Sequence, residues 1–131
     1  MTSPMLQSVA PVLRLNTRTM KPTISLFEDM GFSVDTLLGE PPRFAMMKRD
    51  DLTVMLECRM LIPWKQSGWA VYFWVNEVDK LQHEFALADI KEVTALVEKP
   101  YECIEFKVRL PDGRSIVFGE RLSPKQRIGQ H

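Results

Sequence analysis

Few residues in this chain could do chemistry, and the types that most often do it are the scarcest. Histidine occurs only at His83, within a helical pattern, and at His131. The two cysteines, Cys58 and Cys103, lack the close spacing of a redox or zinc pair and read as free, strand-borne thiols. No serine–histidine or cysteine–histidine arrangement for nucleophilic attack can be assembled. Gly113 and Gly119 serve a turn and a strand rather than a phosphate-cradling loop. What remains is suited to binding: Trp69, Tyr72 and Trp74 in one short segment, Trp64 just before it, the carboxylates Glu57 and Glu105, and the arginines Arg14 and Arg109. Aromatic faces stack on flat molecules or on cations, and nearby charges choose between them.

These residues need elements to hold them, and the elements come twice. Pro11–Asn16 has strand character in Val12 and Leu13. Thr17 and Thr19 are candidate helix caps, Pro22 suits a first helical turn, and Ile24, Phe27 and Met30 recur at helical spacing. Gly31 is placed to end that helix in the left-handed conformation. An extended stretch from Phe32 is broken at Glu40-Pro41-Pro42. Two alternating runs follow, 43–48 and 52–58, joined by a turn at Asp50-Asp51. The second half repeats the order. Trp69–Val75 is a strand, with Asn76 a candidate cap answered by Asp79. Val78, Leu81 and Phe85 share a helical face. Strands are then expected over 93–97, 101–110 and 115–119, the last two joined by the turn signal Pro111-Asp112-Gly113.

The predicted class is therefore α+β: two tandem β-α-β-β-β modules over residues 9–59 and 69–120, with a linker at 60–68 and a tail at 121–131. Two four-stranded sheets, each backed by one helix, would curve into a trough, and an apolar trough with a few inward polar groups is a natural ligand site. Strict alternation puts Trp69 and Phe73 on one face of their strand and Tyr72 and Trp74 on the other, one face meeting the helix and one lining the trough. It also sets Cys103, Glu105, Lys107 and Arg109 opposite Ile104, Phe106, Val108 and Leu110. Trp64 either folds back over the core or walls the pocket. Arg14 sits at an open sheet face or an edge, and on an open face it favours an anionic group. Glu57 and Glu105 are either paired strand residues or ligand-facing carboxylates. Met46, Met47 and Met55 read as packing.

Seventeen basic and seventeen acidic residues cancel, which argues against a broad basic surface for nucleic acid. No run approaches the roughly 20 apolar residues of a membrane span, and the start lacks a signal-peptide pattern, so a cytoplasmic location is expected.

Several segments together resemble the vicinal oxygen chelate superfamily, which includes glyoxalases, extradiol dioxygenases and bleomycin-resistance proteins. They are Pro11-Val12-Leu13, Leu26–Phe32, Val75–Leu81 and Glu105–Phe118, in that order and spacing. In the enzymes of that group a divalent metal sits in the trough, held by His or Gln on the first strand of each module and Glu on the last. Matching the segments sets those positions at about Ala10, Ala70 and Val117, with Glu57 the one carboxylate kept. The resemblance therefore points to the metal-free, bleomycin-resistance-like members. It implies a homodimer that needs no cofactor and traps a small molecule, as antibiotic-resistance proteins of that type do with a cationic drug. The expected ligand contacts are Arg14, Glu57, Trp64, Trp69, Tyr72, Trp74, Glu105 and Arg109. The rival readings are a metal-dependent lyase, isomerase or dioxygenase of the same fold, and a structural or regulatory partner protein with a vestigial pocket.

Overall fold

The computed structural model describes residues 3–123. The first half runs through strand β1 (Val12–Leu15), helix α1 (Met20–Asp29), and strands β2 (Ser33–Leu38), β3 (Phe44–Arg49) and β4 (Leu52–Cys58). The second half follows with β5 (Trp69–Trp74), α2 (Val78–Leu87), β6 (Val97–Lys99), β7 (Cys103–Arg109) and β8 (Ser115–Arg121). Their sheets have the orders β1-β4-β3-β2 and β5-β8-β7-β6, one the copy of the other shifted by four strands. In each, the first strand pairs in parallel with the last and the rest pair antiparallel. The fold is thus two tandem β-α-β-β-β modules with open, curved sheets. The tail expected from 121 starts within β8; from residue 124 on, His131 included, it lies outside the described residues.

The helix boundaries follow from local chemistry, with two departures from expectation. Thr19 occupies the N-cap of α1, but its own side chain does not cap. Asn16 does that work: its Oδ1 accepts the Arg18 and Thr19 amides, and its carbonyl accepts the Met20 amide. At the other end Gly31 adopts φ +88, its amide bonds the Glu28 carbonyl, and the Phe32 amide bonds the Phe27 carbonyl. That double bond closes the helix as a Schellman turn. Asn76 does not cap α2. The cap is Glu77, without a side-chain bond of its own. Glu120 reaches over from β8, its Oε1 accepting the Val78 amide and placing a carboxylate at the positive helix end. The strand expected over 93–97 forms only a single bridge, Val93 to Val108; regular pairing begins at Val97.

The inner face of the first sheet buries Leu13, Leu15, Ala45, Met47, Val54 and Leu56 beneath Met20, Ile24 and Phe27 of α1. In the second sheet Phe73, Phe118 and Phe106 stack in a row, with centroids 5.4 and 5.2 Å apart, and Phe85 of α2 meets Phe118 and Phe106 edge-on. Phe32, packed on Phe27 and on Phe73, joins both halves into one core. Each buried phenylalanine contributes about 1.5–3 kcal/mol by leaving water. An arginine clasp reinforces the junction. Arg49, at the end of β3, donates from Nη1 and Nη2 to the Glu84 carboxylate of α2 at 2.7 and 3.0 Å, and from Nη1 to the Met30 carbonyl. The Glu84 carboxylate, chiefly through its hydrogen bond, raises the Arg49 pKa against the opposing effect of burial, with Asp50 adding to the rise. No helix of the described residues is long and apolar enough to cross a membrane.

Candidate functional site

The outer face of the second sheet brings together Trp69, Tyr72, Trp74 and Glu105 of the expected contacts. A register shift between Trp69 and Val71 at the start of β5 breaks strict alternation. Trp69 therefore does not share the face of Phe73, as alternation implied. It joins Tyr72 and Trp74 in one run, with centroid separations of 5.7 and 4.9 Å, while Phe73 stays in the core. Trp69 and Trp74 are 51% and 56% exposed, so the run offers indole surface to a ligand.

Glu105, in the middle of β7, anchors the run. It is 2% exposed, and no cation pairs with it among the described residues. Burying a carboxylate is costly unless both oxygens are satisfied. Here the Tyr72 hydroxyl donates to Oε2 at 2.9 Å and the Tyr101 hydroxyl to Oε1 at 2.7 Å. Tyr72 reaches Glu105 by crossing over Gly119, the residue paired with Glu105 on one side and Trp74 on the other. A Cβ at Gly119 would stand 1.8 Å from the Tyr72 hydroxyl, so glycine opens the path. The pair of phenols responds to the acid between them. Burial, and then the bond to Glu105, drive the Tyr72 pKa far above its ordinary value; the same causes push Tyr101 up to about 12.

Cations cover the indoles. Lys107 Nζ sits 5.6 Å from the Trp69 ring centroid, and Arg121 Cζ sits 4.7 Å from that of Trp74. Trp74 also borders a groove of about 510 Å³ where the β3–β4 turn approaches the start of α2, floored by Phe32, Phe73, Phe85 and Phe118.

The other expected contacts stand apart. Arg14 and Glu57 face each other on the outer side of the first sheet, Nε to Oε1 3.7 Å, and Arg59 Nε binds the same oxygen at 2.7 Å. Glu57 is thus tied to two arginines. Met46 and Met55 lie opposite each other on that half-buried face, whereas Met47 is in the core. Trp64, 56% exposed, neither covers the core nor joins the aromatic run; the Arg18 guanidinium lies 5.9 Å from its ring. Arg109 shares the face of Glu105 by register but is held by Glu92, at 3.1 Å, and by the Gly113 carbonyl. Sequence reasoning missed Tyr101, Arg121, Arg59 and the role of Gly119. Of these, Tyr101 alone left a signal, being one of only two tyrosines and four residues before Glu105.

The donor set does not fit the metal of the enzymes resembled. Ala10 and Ala70 offer no side-chain donor, Val117 is fully buried and apolar, and Glu57 is engaged by arginines. Among the described residues no three of His, Cys, Asp and Glu gather closely enough to hold an ion.

No protein-family model matches the sequence, and no curated protein matches it. Solved structures do. The bleomycin resistance determinant encoded on transposon Tn5 superposes with a TM-score of 0.71 at 13% identity, over 88% of this chain and 98% of that one. This is the bleomycin-resistance and glyoxalase fold. A glyoxalase-related enzyme from Clostridium phytofermentans gives 0.72 at 16% identity, covering 91% and 98%. The bleomycin-binding protein from Streptomyces verticillus, complexed with copper(II)-bleomycin, gives 0.64 at 22% identity, covering 91% and 99%. At such identities the likeness establishes the fold, which serves binders and enzymes alike, and function has to come from the site. Within the glyoxalase fold this chain carries an aromatic cluster consistent with a ligand-binding surface.

Proposed function

We propose that the protein is a metal-free small-molecule binder that sequesters its ligand on the aromatic outer face of the second sheet. One observation carries this reading: Trp69, Tyr72 and Trp74 form a continuous, half-exposed aromatic run locked in place by the buried Glu105. Building such a run costs stability, because a carboxylate must be buried to hold it. Half-exposed tryptophans fixed by a paid-for polar anchor suit recognition better than packing. The proposed ligand contacts are Trp69, Tyr72 and Trp74, with Glu105 as a positioning residue. Arg14 and Glu57 are assigned to the rim on the first sheet, and Trp64 and Arg109 to more distant positions. The proposed mechanism is to bind, shield and release by mass action, in a cytoplasmic homodimer whose second copy meets the open faces.

A ligand screen by thermal unfolding tests the reading, since a compound that binds only the folded state must raise stability, by about 2.7 kcal/mol at a hundredfold excess over its Kd. Bleomycin-type glycopeptides and small aromatic acids and amines are the first probes. A reproducible shift that disappears in Trp69→Ala/Trp74→Ala supports it. A stoichiometric divalent metal in the purified protein, lost on Glu57→Gln, would overturn the metal-free reading.

A further inference from the structure

The charge of the aromatic face sets the class of ligand. Residues directly opposite each other in a sheet share a face. By register the outer face of the second sheet carries Lys99 opposite Cys103, Arg121 opposite Cys103, Lys107 opposite Val117, and Arg109 opposite Ser115. Among the strand residues of that face, Glu105 is the one carboxylate, and both its oxygens are already bound by tyrosine hydroxyls. Arg109 is answered by Glu92. Lys107 and Arg121 have no carboxylate within ion-pair distance among the described residues; each instead lies against a tryptophan ring.

A cationic ligand would have to displace those two side chains from the same indole faces. It would also meet their repulsion, and among the strand residues of that face it would find no acid but the already engaged Glu105. A flat molecule bearing an acid group meets the opposite situation. Its ring extends the aromatic run, and its negative charge answers a cation already held within reach of the indole.

We propose that this face takes a flat aromatic anion, its ring on Trp69 or Trp74 and its acid group on Lys107 or Arg121. The proposal rests on the binding reading above and specifies its ligand. It inverts the charge preference that the resemblance to binders of a cationic drug implied.

Three probes of one shape separate the charge from the ring: naphthoate, naphthylmethanol and naphthylmethylammonium, each titrated into the full chain by calorimetry. Naphthoate is expected to bind most tightly, with a Kd roughly tenfold or more below that of the ammonium, the scale of two partly exposed charge contacts. The double variant Lys107→Gln/Arg121→Gln is expected to bring naphthoate to the affinity of naphthylmethanol, while far-ultraviolet dichroism confirms the fold. Equal or tighter binding of the ammonium overturns the anion assignment and leaves the binding site standing. So does naphthoate affinity unchanged in the double variant, or a single-stranded oligonucleotide binding more tightly than naphthoate. If none of the three probes binds at millimolar concentration, the binding reading itself falls.

Discussion

Gly119→Ala is the smallest change that strikes the candidate site. The added methyl would lie 1.8 Å from the Tyr72 hydroxyl oxygen, 2.6 Å from Cζ and 3.0 Å from Cε1. Gly119 is not among the positive-φ glycines, so alanine is acceptable to the backbone and the damage is steric. Swinging only the hydroxyl does not relieve it, because ring carbons are also too close and the ring is flanked by Trp69 and Trp74. Tyr72 must leave, and Glu105 then keeps one of its two hydrogen bonds while remaining buried. Losing a hydrogen bond to a buried charge costs about 1.5–3 kcal/mol. The assay is urea unfolding followed by circular dichroism. The expected loss is about 2–3 kcal/mol in the wild-type background. In a Tyr72→Ala background the clash is gone, and the same alanine is expected to be neutral or stabilising by about 0.5–1 kcal/mol, as for glycine replaced within a strand. This double-mutant cycle isolates the contact. A neutral effect in the wild type, or an equal loss in both backgrounds, would refute the reasoning.

Further outcomes are expected elsewhere. Tyr72 and Tyr101 are the only two tyrosines in the chain, so tyrosinate absorbance reports on this site alone. Both are raised, so the stability they lend is full below the ordinary value of 10.0 and is lost as pH climbs through the folded values, about 12 for Tyr101 and higher for Tyr72. A spectrophotometric titration with a midpoint near 10.0 in the folded protein would contradict the Glu105 geometry. Asp112, 1% exposed, accepts the Arg114 amide and two guanidinium bonds at 3.0 and 2.8 Å. Asp112→Ala leaves that arginine with the Arg14 carbonyl but without its carboxylate, and is expected to cost about 3–5 kcal/mol by urea unfolding. Arg49→Ala removes the clasp between the halves and should cost about 1–2 kcal/mol; Glu84→Gln, at a half-exposed position, should cost less than about 1 kcal/mol.

The duplicated module order was legible because each half carries its own punctuation: Gly31 after α1, Asp50-Asp51 between β3 and β4, and Pro111-Asp112-Gly113 between β7 and β8. The two faces of β7 also followed from alternation, with Ile104, Phe106 and Val108 inward and Glu105 and Lys107 outward. The site was read less well, for specific reasons. Trp69 was misplaced because a bulge, which leaves no mark in the residue pattern of 69–75, turned it to the other face. Glu120 capping α2 and Tyr101 binding Glu105 depend on how strands and turns meet in space. For Arg14 the pattern left an open face or an edge, and for Glu57 a paired or a ligand-facing carboxylate. The strand register sets the two opposite each other, and Arg59, which also binds Glu57, lies just past the end of β4, where periodicity carries no information. A single residue count, two tyrosines, held the one hint to the anchor of the aromatic run.

The sharpest test uses the three tryptophans. Their indole N–H signals in a heteronuclear NMR spectrum report on Trp64 in the linker and on Trp69 and Trp74 in the aromatic run. On titration with any compound that raises the melting temperature, the signals of Trp69 and Trp74 are predicted to move together and that of Trp64 to stay fixed. Movement of Trp64 alone, or unmoved signals from Trp69 and Trp74 at saturation, would place the ligand elsewhere and contradict the assignment of the second sheet's outer face as the binding site.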